Sequence, residues 1–271
     1  MQQNARNIGV KITGEVNVFI RTSAVAMCTT MVLMSSSVAS EESAQKIHTE
    51  TKSFSVKLGA TRVIFNPDSA GATLSVINPQ DYPILVQSQV YGEDKQSKAP
   101  FVVTPPLFRL DGNQQSRIRI VRTGGDFATD RETMKWLCVT GVPPKPDDIW
   151  GQDKDGKSLA PKVATLEVQL RINSCVKLLV RPSSLKGEIS DVASAVKWKR
   201  EGNKLKATNP TPFYMNLKEV KVAGRNIEGI DYIPPMGERI FSLPAEVSGP
   251  VTWKVITDYG GDSSDYQATL Q

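Results

Sequence analysis

The chain has 271 residues, of which 39% are hydrophobic and 23% charged, so it can bury a sizeable core and is not expected to be disordered. At roughly 150 residues per domain, this length indicates two domains or one large β architecture, and a mean hydropathy of −0.26 excludes a polytopic membrane protein. The single histidine, His48, excludes sites that need two imidazoles, such as His-rich metal centres.

The first 40 residues resemble a secretory signal peptide. Three basic residues precede an apolar run over Ala24–Met34, and small residues follow up to Ser40. That run is shorter than the roughly 20 residues of a membrane-spanning helix. We expect cleavage near Ala39 or Ser40 and hence export to an oxidising compartment. An internal start at Met27, an uncleaved segment and a lipoprotein through Cys28 remain alternatives.

Cleavage there would leave 30 basic and 27 acidic residues, a net charge of +3. The basic residues are interleaved with acidic ones, so nucleic acid is not an expected partner. Two cysteines would remain, Cys138 and Cys175, and an even count in an exported chain predicts one disulfide bond. Two buried free thiols are the alternative.

Alternation of apolar and polar residues dominates from Lys52 onward and predicts an all-β protein made of two β-sandwiches. The first sandwich is expected over about 47–181 and the second over about 186–271. The predicted strands of the first are 53–58, 61–65, 72–78, 84–91, 107–110, 116–122, 134–142 and 164–180. Those of the second are 196–199, 204–209, 213–222, 239–243, 251–257 and 266–270.

One predicted connection, Gly141–Lys162, is long for a loop inside a domain and contains Trp150. Such a loop indicates either a function or a solvated insertion. Its adjacent acids Asp147 and Asp148 are typical of solvated surface, and no enzyme, metal or phosphate-binding motif is found elsewhere. We therefore expect no enzymatic activity and no metal site.

The segment after this loop alternates five apolar residues with polar ones over nine positions. The apolar residues are Ala164, Leu166, Val168, Leu170 and Ile172. Alternation alone is typical of a half-buried strand, but it also fits an edge strand that offers its apolar row to a partner. The spacing of the apolar residues does not distinguish a half-buried strand from an edge strand that binds a partner.

A long motif over Phe127–Pro143 (FATDRETMKWLCVTGVP) closely resembles the signature of periplasmic pilus-assembly chaperones of the chaperone–usher pathway. Further blocks of the chain resemble the same family: Gly59–Ile64, Asn78–Pro79, Pro105–Leu110, Cys175–Pro182, Asn209–Tyr214 and Tyr232–Pro235. The cysteine pair and the long loop resemble its long-loop subgroup, which assembles thin fimbriae or capsule-like polyadhesins.

The resemblance implies two immunoglobulin-like sandwiches joined at an angle, with boundaries at 1–40 for the signal peptide, 41–181 and 182–271. It implies a periplasmic chaperone that stabilises fibre subunits by donor-strand complementation and delivers them to the outer-membrane usher, without a cofactor or ATP. The strand Ala164–Ile172 would be the donor strand. Self-association of the free chaperone is expected because an exposed apolar row invites pairing.

The resemblance also implies roles for individual residues. Arg62 and Lys177 match the two basic residues that hold the terminal carboxylate of the subunit. Phe54, Val56 and Leu58 match an N-terminal apolar segment of the long-loop subgroup, and Glu132, Arg181 and Asp258 match an interdomain charge cluster.

Two other functions fit a β-sandwich protein that is exported. One is an immunoglobulin-like adhesin or structural surface protein whose own strands are all paired. The other is a carbohydrate-active enzyme, which would need clustered acids and aromatic platforms at one cleft.

Overall fold

The computed structural model describes residues 53–145, 147–160 and 170–271. Up to Val180 it contains strands β1 (Ser53–Phe54), β2 (Lys57–Leu58), β3 (Arg62–Phe65), β4 (Ala72–Ile77), β5 (Ile84–Tyr91), β6 (Phe101–Thr104), β7 (Leu107–Leu110), β8 (Gln115–Arg122), β9 (Thr133–Val142), β10 (Leu170–Arg171) and β11 (Asn173–Val180). After it come helix α1 (Ile189–Val192) and strands β12 (Lys197–Glu201), β13 (Lys204–Asn209), β14 (Met215–Val222), β15 (Arg225–Asn226), β16 (Tyr232–Ile233), β17 (Gly237–Ser242), β18 (Val251–Val255) and β19 (Tyr266–Ala268). Short 3-10 helices lie at Ile149–Gly151 and Ala193–Ala195.

The first sandwich packs a four-stranded sheet, β2-β4-β8-β6, against a five-stranded sheet, β3-β11-β9-β5-β7. Apolar residues alternate along its strands because successive side chains point to opposite faces, and the inward row forms the core. Phe65, Ile118, Leu137 and Leu178 are all fully buried in that core. The predicted all-β sandwich is therefore present in this half of the chain.

The second sandwich packs the sheet β12-β13-β17 against β15-β14-β18-β19, with β16 also pairing with β14. Its core is organised around Trp198 and Trp253, whose ring centroids are 5.5 Å apart. Two large aromatic side chains bury much of the apolar surface that a small sandwich needs. The two-sandwich fold class predicted from the sequence is confirmed.

The structure adds elements that the sequence pattern did not indicate. Strand β6 lies between the loop that ends at Pro100 and a cis Thr104–Pro105 bond. Because prolines flank it on both sides, its four alternating residues do not predict a strand. Strands β15 and β16 and helix α1 have only two to four residues each, too few for a period to show. The predicted strand 164–180 is interrupted at Ile172, and residues 161–169 lie outside the described part.

Candidate functional site

Arg62 and Lys177 lie directly opposite each other where β3 and β11 pair in parallel. Arg62 is only 7% exposed, and its Nη1 donates to the carbonyl oxygen of Ile256 in the second sandwich at 3.0 Å. Burial lowers the pKa of the Arg62 guanidinium, and the negative charges of Asp258 and Glu132 oppose this effect. Two positive side chains from neighbouring strands thus lie at the junction of the two sandwiches.

The ammonium of Lys177 also reaches the second sandwich. It donates to Oδ1 of Asn216 at 2.8 Å and forms an ion pair with Oδ1 of Asp231 at 3.1 Å. It lies 4.8 Å from the centre of the Tyr232 ring, a distance at which a cation is attracted to an aromatic face. Burial lowers the pKa of Lys177, and the charge and hydrogen bond of Asp231 act in the opposite direction.

This pair of cations can bind an anion. A carboxylate accepts several charge-assisted hydrogen bonds, and Arg and Lys are its usual partners in proteins. Among the described residues, the Nε atom of Arg62 is buried and has no hydrogen-bond partner. The guanidinium of Arg62 therefore keeps one hydrogen-bond donor without a partner among the described residues.

The predicted donor strand is only partly described. Ala164, Leu166 and Val168 lie outside the described residues, whereas Leu170 belongs to β10, whose backbone pairs in parallel with β1. Ile172 lies between β10 and β11 and is 37% exposed.

The residues of the predicted N-terminal apolar segment differ in their surroundings. Phe54 belongs to β1, and its backbone pairs with Arg171. Val56 is 5% exposed and is a core residue of the first sandwich, and Leu58 packs against the same core. These two side chains therefore pack on their own sandwich in this structure.

Cys138 and Cys175 face each other in the antiparallel pair β9–β11 and form a disulfide bond. Their Cα atoms are 4.0 Å apart. Cys175 is two residues from Lys177 on the same strand, so the bond ties the beginning of β11 to the centre of the sheet. The two cysteines are therefore not free thiols.

The predicted charge cluster comes together at the sandwich junction. Arg181 donates from Nε to Glu132 at 2.7 Å and from both terminal nitrogens to the carboxylate of Asp258 at 2.6 and 2.7 Å. Glu132 also accepts a hydrogen bond from the backbone N–H of Tyr214 at 2.7 Å. Burial favours a lower pKa for Arg181, but hydrogen bonds and charges from Asp258 and Glu132 outweigh it and raise the pKa.

Glu132 is the most buried member of this cluster. Its side chain is 1% exposed, and burial raises its pKa despite the opposing charge of Arg181. A buried carboxylate has lost its hydration and is stabilised by the hydrogen bonds and the opposite charge of its partners. The cluster therefore joins Arg181, the first residue after β11, to loops of both sandwiches.

Apolar contacts between the sandwiches accompany these charges. Met134 and Leu179 from the first sandwich pack with Tyr214 from the second, and all three are at most 5% exposed. Sequence reasoning missed this cluster and also Asn216 and Asp231, the two partners of Lys177. No spacing links these residues to Lys177, because they are brought together only by the packing of two separate sandwiches.

Other features of the described residues carry no chemistry of their own. They contain no group of three or more His, Cys, Asp or Glu side chains placed to hold a metal ion. No helix within the described ranges has the length and apolar character to cross a membrane. The long connection after β9 contains a short 3-10 helix with Trp150, and its neighbour Ile149 is 85% exposed.

Comparison with protein families gives two matches that together span most of the chain. Residues 55–186 match the N-terminal domain of the PapD pili and flagellar-assembly chaperones, and residues 191–267 match the C-terminal domain of the PapD pili-assembly chaperones. The chain is 57% identical over 203 residues to the chaperone protein AfaB of Escherichia coli, covering 75% of this chain and 82% of AfaB. It is 46% identical over 241 residues to the chaperone protein PsaB of Yersinia pestis, covering 83% and 87%.

Solved structures agree with this assignment. The crystal structure of the Escherichia coli chaperone DraB has 55% sequence identity and a TM-score of 0.70, covering 80% of this chain and 97% of DraB. A structure of the Salmonella enterica SafA pilin in complex with the SafB chaperone matches with 52% identity and a TM-score of 0.71, covering 82% of this chain and 99% of the matched chain. The disulfide between β9 and β11 fits the long-loop subgroup. The chain belongs to the PapD family of pilus-assembly chaperones.

Proposed function

We propose that this protein is a periplasmic chaperone that binds fimbrial or capsule-like fibre subunits by donor-strand complementation and delivers them to an outer-membrane usher. Relatives that are 46–57% identical are named chaperones, and one matched structure contains a chaperone bound to a pilin. The protein would act by binding and not by catalysis, without a cofactor, a metal or ATP.

One observation carries this proposal: the apolar row of the sequence continues the core row of β11. Val176, Leu178 and Val180 face the core of the first sandwich. The five apolar residues from Ala164 to Ile172 are also even-numbered in the sequence, so in an extended segment they would all project to one face, although the described strand is interrupted at Ile172 before β11 begins. A row of core-type side chains that extends past its own core is suited to fill the core of another protein.

The expected affinity follows from apolar burial. A subunit in this family is an immunoglobulin-like domain that lacks its last strand, so its core is open. Five side chains that enter such a core contribute roughly 1.5 to 3 kcal/mol each when fully buried, or about 8 to 15 kcal/mol before ordering costs. Release then occurs when a better-fitting strand of the next subunit replaces the donor strand, which removes any need for ATP.

Arg62 and Lys177 would bind the terminal carboxylate of the subunit and so set the register of the added strand. Because strand side chains alternate, a shift of one residue would turn the whole apolar row to the wrong face. A carboxylate held at a fixed point prevents that shift. The adjacent positions of the two cations at the start of the β3–β11 pair support this role.

Export and domain limits complete the proposal. Cleavage near Ala39 or Ser40 would deliver residues from about 41 onward to the periplasm, where the disulfide between Cys138 and Cys175 can form. We place the domain boundary after Arg181, between the first sandwich and the second. Glu132, Arg181 and Asp258 would fix the angle between the two domains.

Periplasmic co-expression with a fibre subunit encoded nearby, followed by native mass spectrometry, tests the proposed function. A one-to-one complex is expected, with the subunit degraded when the chaperone is left out. Lys199→Ala, a change of an exposed lysine in the second sandwich, serves as a control and should give the same complex. Subunits that are degraded equally with and without the protein would instead favour an adhesin or structural surface protein.

A further inference from the structure

Lys177 has two acceptors of very different character. Asn216 is 1% exposed and lies on β14, so its amide oxygen is a fixed part of the second sandwich. The side chain of Asp231 is 56% exposed, while that of Lys177 is only 15% exposed. The carboxylate therefore lies on the side of the ammonium that faces solvent, from which a ligand would approach.

The backbone holds Asp231 in this position. Its carbonyl oxygen accepts a hydrogen bond from the N–H of Leu217 at 2.9 Å, and the next residue, Tyr232, pairs with Asn216 in the β14–β16 ladder. Within the described part of the chain, its carboxylate forms hydrogen bonds or ion pairs with no group other than the Lys177 ammonium. It can rotate into water without disturbing β16, which begins at the next residue.

A counter-ion is needed here when no ligand is bound. Arg62 and Lys177 are neighbours in strand register, so two positive charges lie close together in a partly buried place. Like charges at short distance raise the free energy of the folded state unless a negative charge balances them. Asp231 provides that charge in the empty site.

We propose that Asp231 is an internal counter-ion that occupies Lys177 in the empty chaperone and is displaced by the incoming carboxylate of the subunit. The inference rests on the proposed role of Lys177 and names a residue that limits the affinity of that site. An ion pair with an exposed partner is weak, so its displacement costs little. In the empty site Asp231 nevertheless balances the charge of Lys177, which disfavours the capture of unrelated anions there.

The exchange is tested with a small carboxylate, N-acetylglycine, and with its amide as the uncharged control. The side-chain amide of Asn216 reports on the site by NMR because its oxygen accepts from Lys177. We expect a saturable shift of this signal with the carboxylate only. Asp231→Asn should tighten the apparent binding by about threefold to tenfold, as removal of a partly exposed competing ion pair would.

Asp265→Asn is the matched control, because Asp265 is an exposed aspartate of the same sandwich whose carboxylate lies 3.8 Å from the ammonium of Lys254. It changes the net charge equally and should leave the binding unchanged. Lys177→Ala should abolish the shift in either background. Equal or weaker binding to Asp231→Asn, or no carboxylate-dependent shift in the wild type, would overturn the inference.

Failure of this inference differs from failure of the proposed function. Subunit recovery that is normal with both the wild type and Asp231→Asn, without tighter carboxylate binding, would leave the chaperone function standing and remove the role of Asp231. Tighter carboxylate binding by Asp231→Asn without any subunit recovery would support the exchange and contradict the proposed partner.

Discussion

Arg181 forms a two-point ion pair with Asp258, 77 residues further along the chain, with N–O distances of 2.6 and 2.7 Å. The same guanidinium holds the buried Glu132, so one side chain connects acids from both sandwiches. Removal of the Arg181 side chain would leave the buried carboxylates of Glu132 and Asp258 without their partner. This lowers the free energy of unfolding far more than the loss of a surface ion pair does.

Arg181→Ala is therefore expected to lower the free energy of unfolding by about 3 to 5 kcal/mol, measured by urea denaturation. Arg131→Ala provides the control, because Arg131 pairs with Asp130 at the surface, and its transition should coincide with that of the wild type. A transition of Arg181→Ala that also coincides with the wild type would show that the cluster is not structural.

Lys177→Ala is expected to abolish recovery of the subunit, whereas Leu166→Ala should only weaken it. The first change removes the register-setting cation and leaves a desolvated carboxylate unpaired, at a cost of about 2 to 5 kcal/mol. The second removes one of five apolar contacts. Co-purification of the subunit with each variant measures the difference, and equal recovery with Lys177→Ala and the wild type would refute the anchor role.

The disulfide predicts a loss of stability in the double variant Cys138→Ser/Cys175→Ser. The bond closes a sequence separation of 37 residues, for which the chain-entropy estimate is about 4 kcal/mol, and measured values are commonly about 2 to 4 kcal/mol. Reductant should destabilise the wild type by a similar amount and leave the double variant unaffected. A wild type that is insensitive to full reduction would contradict this prediction.

The lowered pKa of Lys177 predicts a pH dependence of carboxylate binding. The charges that act on this ammonium are Asp231, which raises its pKa, and Arg62 and Lys95, which lower it beyond the effect of burial. A bound carboxylate favours the protonated form, so binding takes up a proton once free Lys177 has lost its own. The affinity for the carboxylate should therefore fall as the pH rises through the pKa of Lys177 in the free protein, which lies below the ordinary lysine value of 10.5.

Lys177→Arg separates this effect from general alkaline unfolding. A guanidinium stays charged throughout that range, so the variant should keep a flat affinity where the wild type weakens. N-acetylglycine binding, followed by NMR at increasing pH, gives both curves. Parallel curves for the two proteins would assign the pH dependence to another group.

Self-association of the free chaperone is also expected, since an apolar donor strand without a partner is a template for other strands. Size-exclusion chromatography over a dilution series should show a larger species at high concentration, and this species should disappear when subunit is bound. A single monomeric species at every concentration would count against it.

The alternation of apolar residues was enough to predict both sandwiches, because a strand with one buried face needs that pattern whatever its neighbours are. The same local rule failed for β15 and β16, which are two residues long and pair only because β14 already lies beside them. Val56 shows a related limit. Its apolar character fits both an exposed sticky segment and a core strand, and only the packing places it in the core.

The residues of the candidate site also fall into two groups, those that the sequence predicted and those that it did not. Arg62, Lys177 and the cluster around Arg181 were named from family motifs, which carry long-range information that a single strand pattern lacks. Asn216 and Asp231 belong to no quoted motif in that role, and their contact with Lys177 spans the junction of two separately folded sandwiches. No local physical rule connects residues that are 39 and 54 positions apart in this way.

The contacts of Lys177 also connect the two sandwiches, since this lysine on β11 binds two residues of the second sandwich, Asn216 and Asp231. A ligand that takes the place of Asp231 removes one of these links. By thermodynamic reciprocity, whatever loosens the joint between the sandwiches must then favour the loaded state to the same degree. A change that strengthens the contact between Lys177 and Asp231 would accordingly weaken carboxylate binding, by the small free energy that an ion pair with an exposed partner contributes.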